Sequence, residues 1–244
     1  MSIHGLSITP NPKQNRLLAI LPESESNRIV PHLDLVPFPL GMVLYESGNR
    51  LDHVYFPTTA IVSMLSVLED GTSAEIAMVG NKGIVGIALF MGGDTMPTRA
   101  VVRNAGHAYR LGARLLQQEF NRNGALQRLL LRYTQALMTQ MAQTAVCNRH
   151  HTLEQQLCRW LLLSLDRLAE NELRITQKLI SDMLGVRRES INAVTVRLQN
   201  AGLIHYSRGR VTVLNRPGLE ALACECYTVV REEFRRLLPD VLAE

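Results

Sequence analysis

The sequence predicts an α+β protein: an N-terminal β-barrel or sandwich, a long amphipathic helix and a C-terminal winged helix-turn-helix. Three observations carry this reading. Between about Val36 and Leu111, short runs rich in Val, Ile, Tyr and Phe are punctuated by Gly, Asn and Asp every eight to ten residues, the spacing of an all-β unit. After Gly112 the strand signals stop, and apolar residues recur every three or four positions, the helical period. The positive charge is also segregated. Asn171 to Arg216 holds eight Lys or Arg against three Asp or Glu, whereas the rest of the chain holds 18 basic and 19 acidic residues. A local basic excess is an electrostatic footprint of nucleic-acid binding.

At 244 residues, 46% hydrophobic and 20% charged, the chain has the make-up of a globular protein with room for about two domains. No apolar run approaches the ~18–20 residues that span a bilayer. The start shows no basic stretch followed by an apolar core, so a cytoplasmic protein without membrane contact is expected. The four cysteines, Cys147, Cys158, Cys224 and Cys226, form no CxxC pair. Neither a disulfide framework nor a four-cysteine iron–sulfur or zinc site is expected from these spacings.

In order along the chain, residues 1–30 are polar, with Pro10, Pro12 and Pro22. They read as an arm with a short helix around Gln14 to Leu21. Residues 31–120 form the β unit. Within it, "LEDGTSAEIAM" is a hairpin: Asp70-Gly71 is a favoured turn pair, and Ala74, Ile76 and Met78 alternate after it. "RAVVRNAGHAYRL" supplies a last pair of strands around Asn104 to Gly106. Residues 121–150 are the long helix, with Leu126, Leu129, Leu130, Tyr133, Leu137, Met141 and Ala145 on its apolar face. That face exceeds what a small barrel covers, so packing against a second copy of the helix is expected.

Residues 151–216 begin, after a bend near His150, with a helix that places Leu153, Leu157, Trp160, Leu161 and Leu165 on one side. Thr176 can cap a helix from Gln177 to about Leu184, which Gly185 ends. A second helix starts near Arg188 with Ile191, Val194 and Leu198 facing inward, and Ser181 is small where the two should cross. A helix, a Gly-containing turn and a helix make a helix-turn-helix. "GLIHYSRGRVTVL" is then a hairpin turning at Arg208-Gly209, a wing. Residues 217–244 read as a terminal helix with Pro217 near its first turn.

The start of the second helix is the functional signal. A helix N-terminus is partly positive, so Arg187 and Arg188 are unfavourably placed unless an anion meets them. In a helix-turn-helix these residues enter the DNA major groove, and DNA supplies the negative charge. Arg188 can bridge guanine O6 and N7, Glu189 can accept from cytosine N4 or orient Arg188, and Asn192 follows one turn on. Arg187, Lys178 and Arg208 suit phosphates, which position without reading sequence. Thr176, Gln177 and Ser190 complete the expected interface.

Two stretches resemble the Crp/Fnr (cyclic-AMP-receptor and fumarate-nitrate-reduction regulator) family. "LGMVLYESGNRLDHVYF" is similar to the family's barrel signature, and "ITQKLISDMLGVRRESINAVTVRLQNAGLI" to its helix-turn-helix, including Arg188-Glu189-Ser190. The resemblance spans about Val36 to Leu214. It implies a cyclic-nucleotide-binding-like β-roll, a homodimer paired along the long helix, and transcriptional control at palindromic double-stranded DNA, with RNA polymerase a candidate further partner. Two recognition helices would then lie about one DNA turn apart.

The departures from that pattern point away from cyclic AMP. The family's nucleotide binders carry a Gly-Glu pair and an Arg-Ser-Ala or Arg-Thr-Ala run. Here Gly86 is followed by Ile87, which accepts no hydrogen bond, and Thr98, Arg99 and Ala100 place the arginine one step late. One step along a strand turns a side chain to the other face. The family's polar pair on the long helix falls at Met141 and Ala142, and a frequent second arginine of the recognition helix at Ala193. No cysteine precedes Cys147, which argues against the iron–sulfur branch.

Cys147, His151, Glu154 and Cys158 would form a stripe of metal-ligand types on one unbroken helix, but the bend expected there favours no metal. Cys224 and Cys226, two apart, read as packing residues. His4, His53 and His107 are isolated. No catalytic triad, paired carboxylates or phosphate-binding glycine loop stands out, so no enzyme is expected. The leading reading is a regulator switched by an effector in the β-roll. Its rivals are a constitutive DNA-binding regulator with a degenerate pocket, and a ligand-sensing module acting on a protein partner.

Overall fold

The computed structural model describes residues 11–168 and 172–242; the isolated His4 lies outside them. Helices α1 (Arg16–Ala19) and α2 (Glu23–Ile29) come first. The strands β1 (Asp34–Phe38), β2 (Val43–Tyr45), β3 (His53–Pro57), β4 (Ile61–Val67) and β5 (Ser73–Val79) follow. After the single turn α3 (Ala88–Met91) come β6 (Arg99–Asn104), β7 (Gly106–Gly112) and α4 (Ala113–Phe120). Helices α5 (Ala125–His150) and α6 (Leu153–Leu165) lead to β8 (Glu172–Arg174), α7 (Gln177–Leu184), α8 (Arg188–Asn200), β9 (Ile204–Ser207) and β10 (Arg210–Val213). Helices α9 (Arg216–Leu222), α10 (Glu225–Leu237) and α11 (Pro239–Leu242) close the described chain.

The β unit is a roll of two antiparallel sheets, ordered β2-β6-β4-β5 and β1-β7-β3. The Asp70-Gly71 turn joins β4 and β5 as expected. Gly71 sits at φ +84° and Asp70 accepts from the Thr72 amide at 2.9 Å. The last two strands are consecutive but belong to different sheets, so the chain crosses between layers at Ala105. Gly106 makes that crossing possible, because a Cβ there would lie 2.5 Å from the Ala60 nitrogen. The helical turn α3 carries no helical period in the sequence, because its four residues "ALFM" have the apolar look of a short strand.

The N-terminal segment is not an arm over its described part. Leu17, Leu18 and Ile29 are buried in the main core. Asn15 caps α1 with its carbonyl oxygen and donates its amide to Pro57 O (2.8 Å) and Gly83 O (2.9 Å). Glu25 reaches across the chain to the start of α5, where its two carboxylate oxygens accept from the Ala125 and Leu126 amides at 2.7 and 2.8 Å. A helix N-terminus leaves such amides without intrahelical partners, and Gly124, at the cap position, has no side chain to offer. A Cβ at Gly124 would fall 2.5 Å from Glu25 Oε1.

Most of the apolar face counted on the long helix is covered within the chain rather than left for a second copy, whereas Met141 is half-buried and Ala145 exposed. Leu126, Leu129, Leu130, Tyr133 and Leu137 are buried, and α5 packs on β5 and α10. Tyr133 meets Phe234 of α10 edge-on at 6.3 Å. A different face remains open, with Leu131, Met138 and Val146 exposed. The terminal helix expected over 217–244 is also divided. Ala223 and Cys224 are extended, with φ/ψ of −70°/153° and −77°/164°, separating α9 from α10.

Candidate DNA-binding surface and effector pocket

The Thr176 hydroxyl accepts from the Leu179 amide at 3.2 Å and starts α7; Gly185, at φ +65°, ends it. Only glycine takes that left-handed conformation without cost. Arg187 is extended, with φ/ψ of −70°/145°, and α8 begins at Arg188. Ile191, Val194 and Leu198 are buried, as their spacing predicts, and Ser181 is buried at the crossing of the two helices.

Arg187, Arg188, Glu189, Ser190 and Asn192 are all exposed. Arg187 lacks a capping hydrogen bond. Among the described residues neither Arg187, Arg188 nor Arg208 has a carboxylate within ion-pair distance. Lys178 differs, because Asp182 holds it at 2.8 Å one turn on. Arg197, further along α8, is tied to Glu154 of α6 at 3.1 Å.

The wing is joined to this surface. Arg208 (φ +49°) and Gly209 (φ +75°) make its turn, both with the positive φ of the turn that matches strand twist. The Gly209 carbonyl accepts from the Ile175 amide at 2.8 Å, and the Tyr206 hydroxyl accepts from the Gln177 amide at 3.1 Å. Gln177 Nε2 in turn donates to Asn192 Oδ1 at 3.1 Å. A continuous chain of contacts thus runs from the wing through the start of α7 to Asn192, one turn into α8. The sheet has a third strand that the sequence did not suggest: β8 pairs with β10, Leu173 opposite Val211. Three residues in a polar stretch carry too little alternation to be read as a strand.

In the roll, Gly86 is at φ +100°, and a Cβ there would meet His53 O and Val54 Cγ1 at 3.2 Å. Ile87 and the α3 residues Ala88, Leu89 and Phe90 are buried with apolar side chains. Thr98 and Ala100 are buried while Arg99 between them is half-exposed. Arg99 pairs with Glu46 at 3.1 Å. The buried Tyr45 phenol lies beside Thr98; burial pushes it up and Thr98 offsets part of that. The four residues read as an effector site are not drawn to one point: Gly86 packs against β3, and Arg99 turns away from the buried side of its own strand.

The stripe of metal-ligand types is rearranged. Helix α5 ends at His150 and His151 is extended, with φ/ψ of −103°/154°. Glu154 turns to Arg197, and Cys158 joins the main core. Cys147 and His151 are met instead by Cys224 and Cys226, with all four ligand atoms within 4.8 Å of one another. Cys224 Sγ lies 3.5 Å from Cys147 Sγ, and Cys226 Sγ 3.6 Å from His151 Nδ1. Donation from the Cys147 thiol holds Cys224 down to about 5 and pushes Cys147 up. Sequence distance hid this cluster, since 77 residues separate Cys147 from Cys224.

Residues 35–123 match the model of the cyclic nucleotide-binding domain, and residues 155–222 that of the Crp-like helix-turn-helix domain. No curated protein sequence matches the chain. Solved structures similar to it include FixK2 from Bradyrhizobium japonicum, 17% identical, TM-score 0.69, covering 79% of this chain and 98% of that one. A putative Crp/Fnr-family transcriptional regulator from Eubacterium rectale is 18% identical, TM-score 0.62, covering 86% and 98%. The c-di-GMP-responsive global regulator CLP from Xanthomonas campestris is 17% identical, TM-score 0.59, covering 79% and 99%. At these identities the likeness is one of fold. Among the described residues, no helix is long and apolar enough to cross a membrane. With a cyclic-nucleotide-binding-like roll, a long helix and a Crp-type helix-turn-helix in this order, the chain belongs to the Crp/Fnr family of DNA-binding transcriptional regulators.

Proposed function

We propose that the protein is a homodimeric regulator of palindromic operators whose roll takes an effector other than cyclic AMP. The observation that carries the DNA reading is the pair Arg187 and Arg188, exposed at the positive end of α8 and, among the described residues, without a carboxylate in ion-pair distance. Arg188, Glu189, Ser190 and Asn192 face base edges in this reading. Arg187, Arg208, Thr176 and Gln177 face phosphates, and Lys178 joins them once it leaves Asp182. The open face of α5 around Leu131, Met138 and Val146 supports pairing along that helix.

Arg99 supports the exclusion of cyclic AMP. A cyclic phosphate needs a cation directed at it, and this one is paired with Glu46. The switch has a physical basis in the packing of α6 and α7 against the roll. Trp160 of α6 donates to Glu75 of β5 at 2.9 Å, and α7 packs on the same strand. An effector that binds one arrangement better shifts the population toward it.

The test combines two measurements on the full chain. Operator selection from random duplexes should enrich an inverted repeat, and a melting series should show no shift with cyclic AMP. Cyclic GMP and cyclic di-GMP are run beside it, since a ligand at 100 times its Kd stabilises by about 2.7 kcal/mol. Enrichment of no DNA would end the regulator reading of this surface. A shift with cyclic AMP would end the reading of Arg99.

A further inference from the structure

We propose that Cys147, His151, Cys224 and Cys226 form a mononuclear Cys₃His metal site, suited to Zn²⁺, that clamps the end of the long helix to the start of α10. Three thiols and an imidazole are the donor set of structural zinc sites. The ligand atoms fit one ion in spacing. A tetrahedral centre with metal–sulfur bonds of about 2.3 Å separates its ligands by about 3.8 Å, and the observed separations are 3.5 and 3.6 Å for the two hydrogen-bonded pairs, with none beyond 4.8 Å. An iron–sulfur cluster spreads its thiolates around several irons and needs a wider cage.

The surroundings are those of a metal site. His151 directs Nδ1 at Cys226, and its other nitrogen, Nε2, faces Glu225 Oε1 at 3.3 Å. A carboxylate on the far nitrogen of a ligating histidine fixes its orientation and raises its basicity. Three thiolates, one neutral imidazole and a dication carry a net charge of −1, and loading releases the thiol protons to solvent. Arg159 supplies the compensating charge. It is buried, lacks a carboxylate within ion-pair distance among the described residues, and acts on the Cys147 and Cys226 thiols through space. A buried guanidinium near Cys147 and Cys226 has a counter-ion once those thiols ionise.

The location gives the site a consequence. His151 is the extended residue at the elbow between α5 and α6, and Cys224 is the cap residue of α10. A bound ion would join two helix ends at the point where the roll and long helix hand over to the DNA-binding half.

The test uses the full chain, purified under reducing conditions without added chelator. Elemental analysis should give about one Zn²⁺ per chain. After zinc is stripped, Co²⁺ should bind at one equivalent with the intense visible bands of a tetrahedral ion and thiolate-to-cobalt charge transfer. Cys226→Ser should weaken or abolish those bands, while Cys158→Ser, at a buried cysteine outside the cluster, should leave them unchanged. If Cys226→Ser fails to fold, the spectrum of the native chain decides alone. The site is overturned if Co²⁺ gives only a weak octahedral spectrum, if an iron–sulfur chromophore appears, or if peptide mapping finds a Cys147–Cys224 disulfide.

Discussion

The indole N–H of Trp160 in α6 donates to Oε1 of Glu75 in β5 at 2.9 Å, and both residues are buried. The hydroxyl of Ser63 meets the other carboxylate oxygen. The first helix of the DNA-binding half is therefore fastened to the roll through a carboxyl group removed from water. Burial pushes the Glu75 carboxyl up, and the bonds from Ser63 and Trp160 with the fields of Arg159 and Arg103 pull back only part of the way.

A carboxyl raised in the folded state binds its proton more tightly there than in the unfolded chain. Its stabilising contribution is complete below the ordinary value of 4.5 and fades as pH rises through the folded value. Glu75→Gln keeps an acceptor for Trp160 and cannot ionise. Melting temperatures measured from pH 5 to 8 should therefore show the variant gaining on the native chain as pH rises. Each kcal/mol corresponds to roughly 2–4 °C for a chain of this size. A gap independent of pH would mean that Glu75 does not titrate in this interval.

Arg188→Ala should cost about 1–3 kcal/mol in operator affinity and relax preference at one base pair. Arg208→Ala should weaken all duplexes alike and lower the salt slope by about one. Fluorescence anisotropy at several salt concentrations separates the two. Equal losses on operator and random DNA for Arg188→Ala would move that residue to the phosphates.

Met138→Glu places a charge on the open face of α5 while leaving the buried face untouched. Sedimentation velocity should show a shift from dimer to monomer, and operator affinity should fall with it because two half-sites are then no longer bound together. An unchanged dimer would place the interface elsewhere.

Gly106→Ala should destabilise the roll by about 1–3 kcal/mol, since the added carbon falls 2.5 Å from backbone atoms of Thr59 and Ala60. Chemical denaturation measures it. A Gly112→Ala control, with nothing within 4 Å of its added carbon, should differ little.

Features governed by local rules were legible in the sequence. Thr176, Gly185 and the spacing of Ile191, Val194 and Leu198 announce α7 and α8 because caps and periodicity act over a few residues. Asp70-Gly71 announces its hairpin for the same reason. Long-range features were hidden. Nothing near Leu126 or Tyr133 says that α10, some hundred residues later, covers that face. Likewise Cys147 carries no mark of Cys224. The direction of Arg99 was legible from strand alternation alone, whereas its partner Glu46 was not.

The contact from Glu25 to the first turn of α5 makes the beginning of that helix a non-local event. A helix normally carries its own cap and can nucleate where it stands. This one borrows a cap from about a hundred residues upstream, so its first two amides exchange water for a carboxylate when the N-terminal segment is in place. Residues 16–29 thus act on the long helix from a distance: loss of the Glu25 carboxylate would loosen α5 at its origin without touching a residue of that helix.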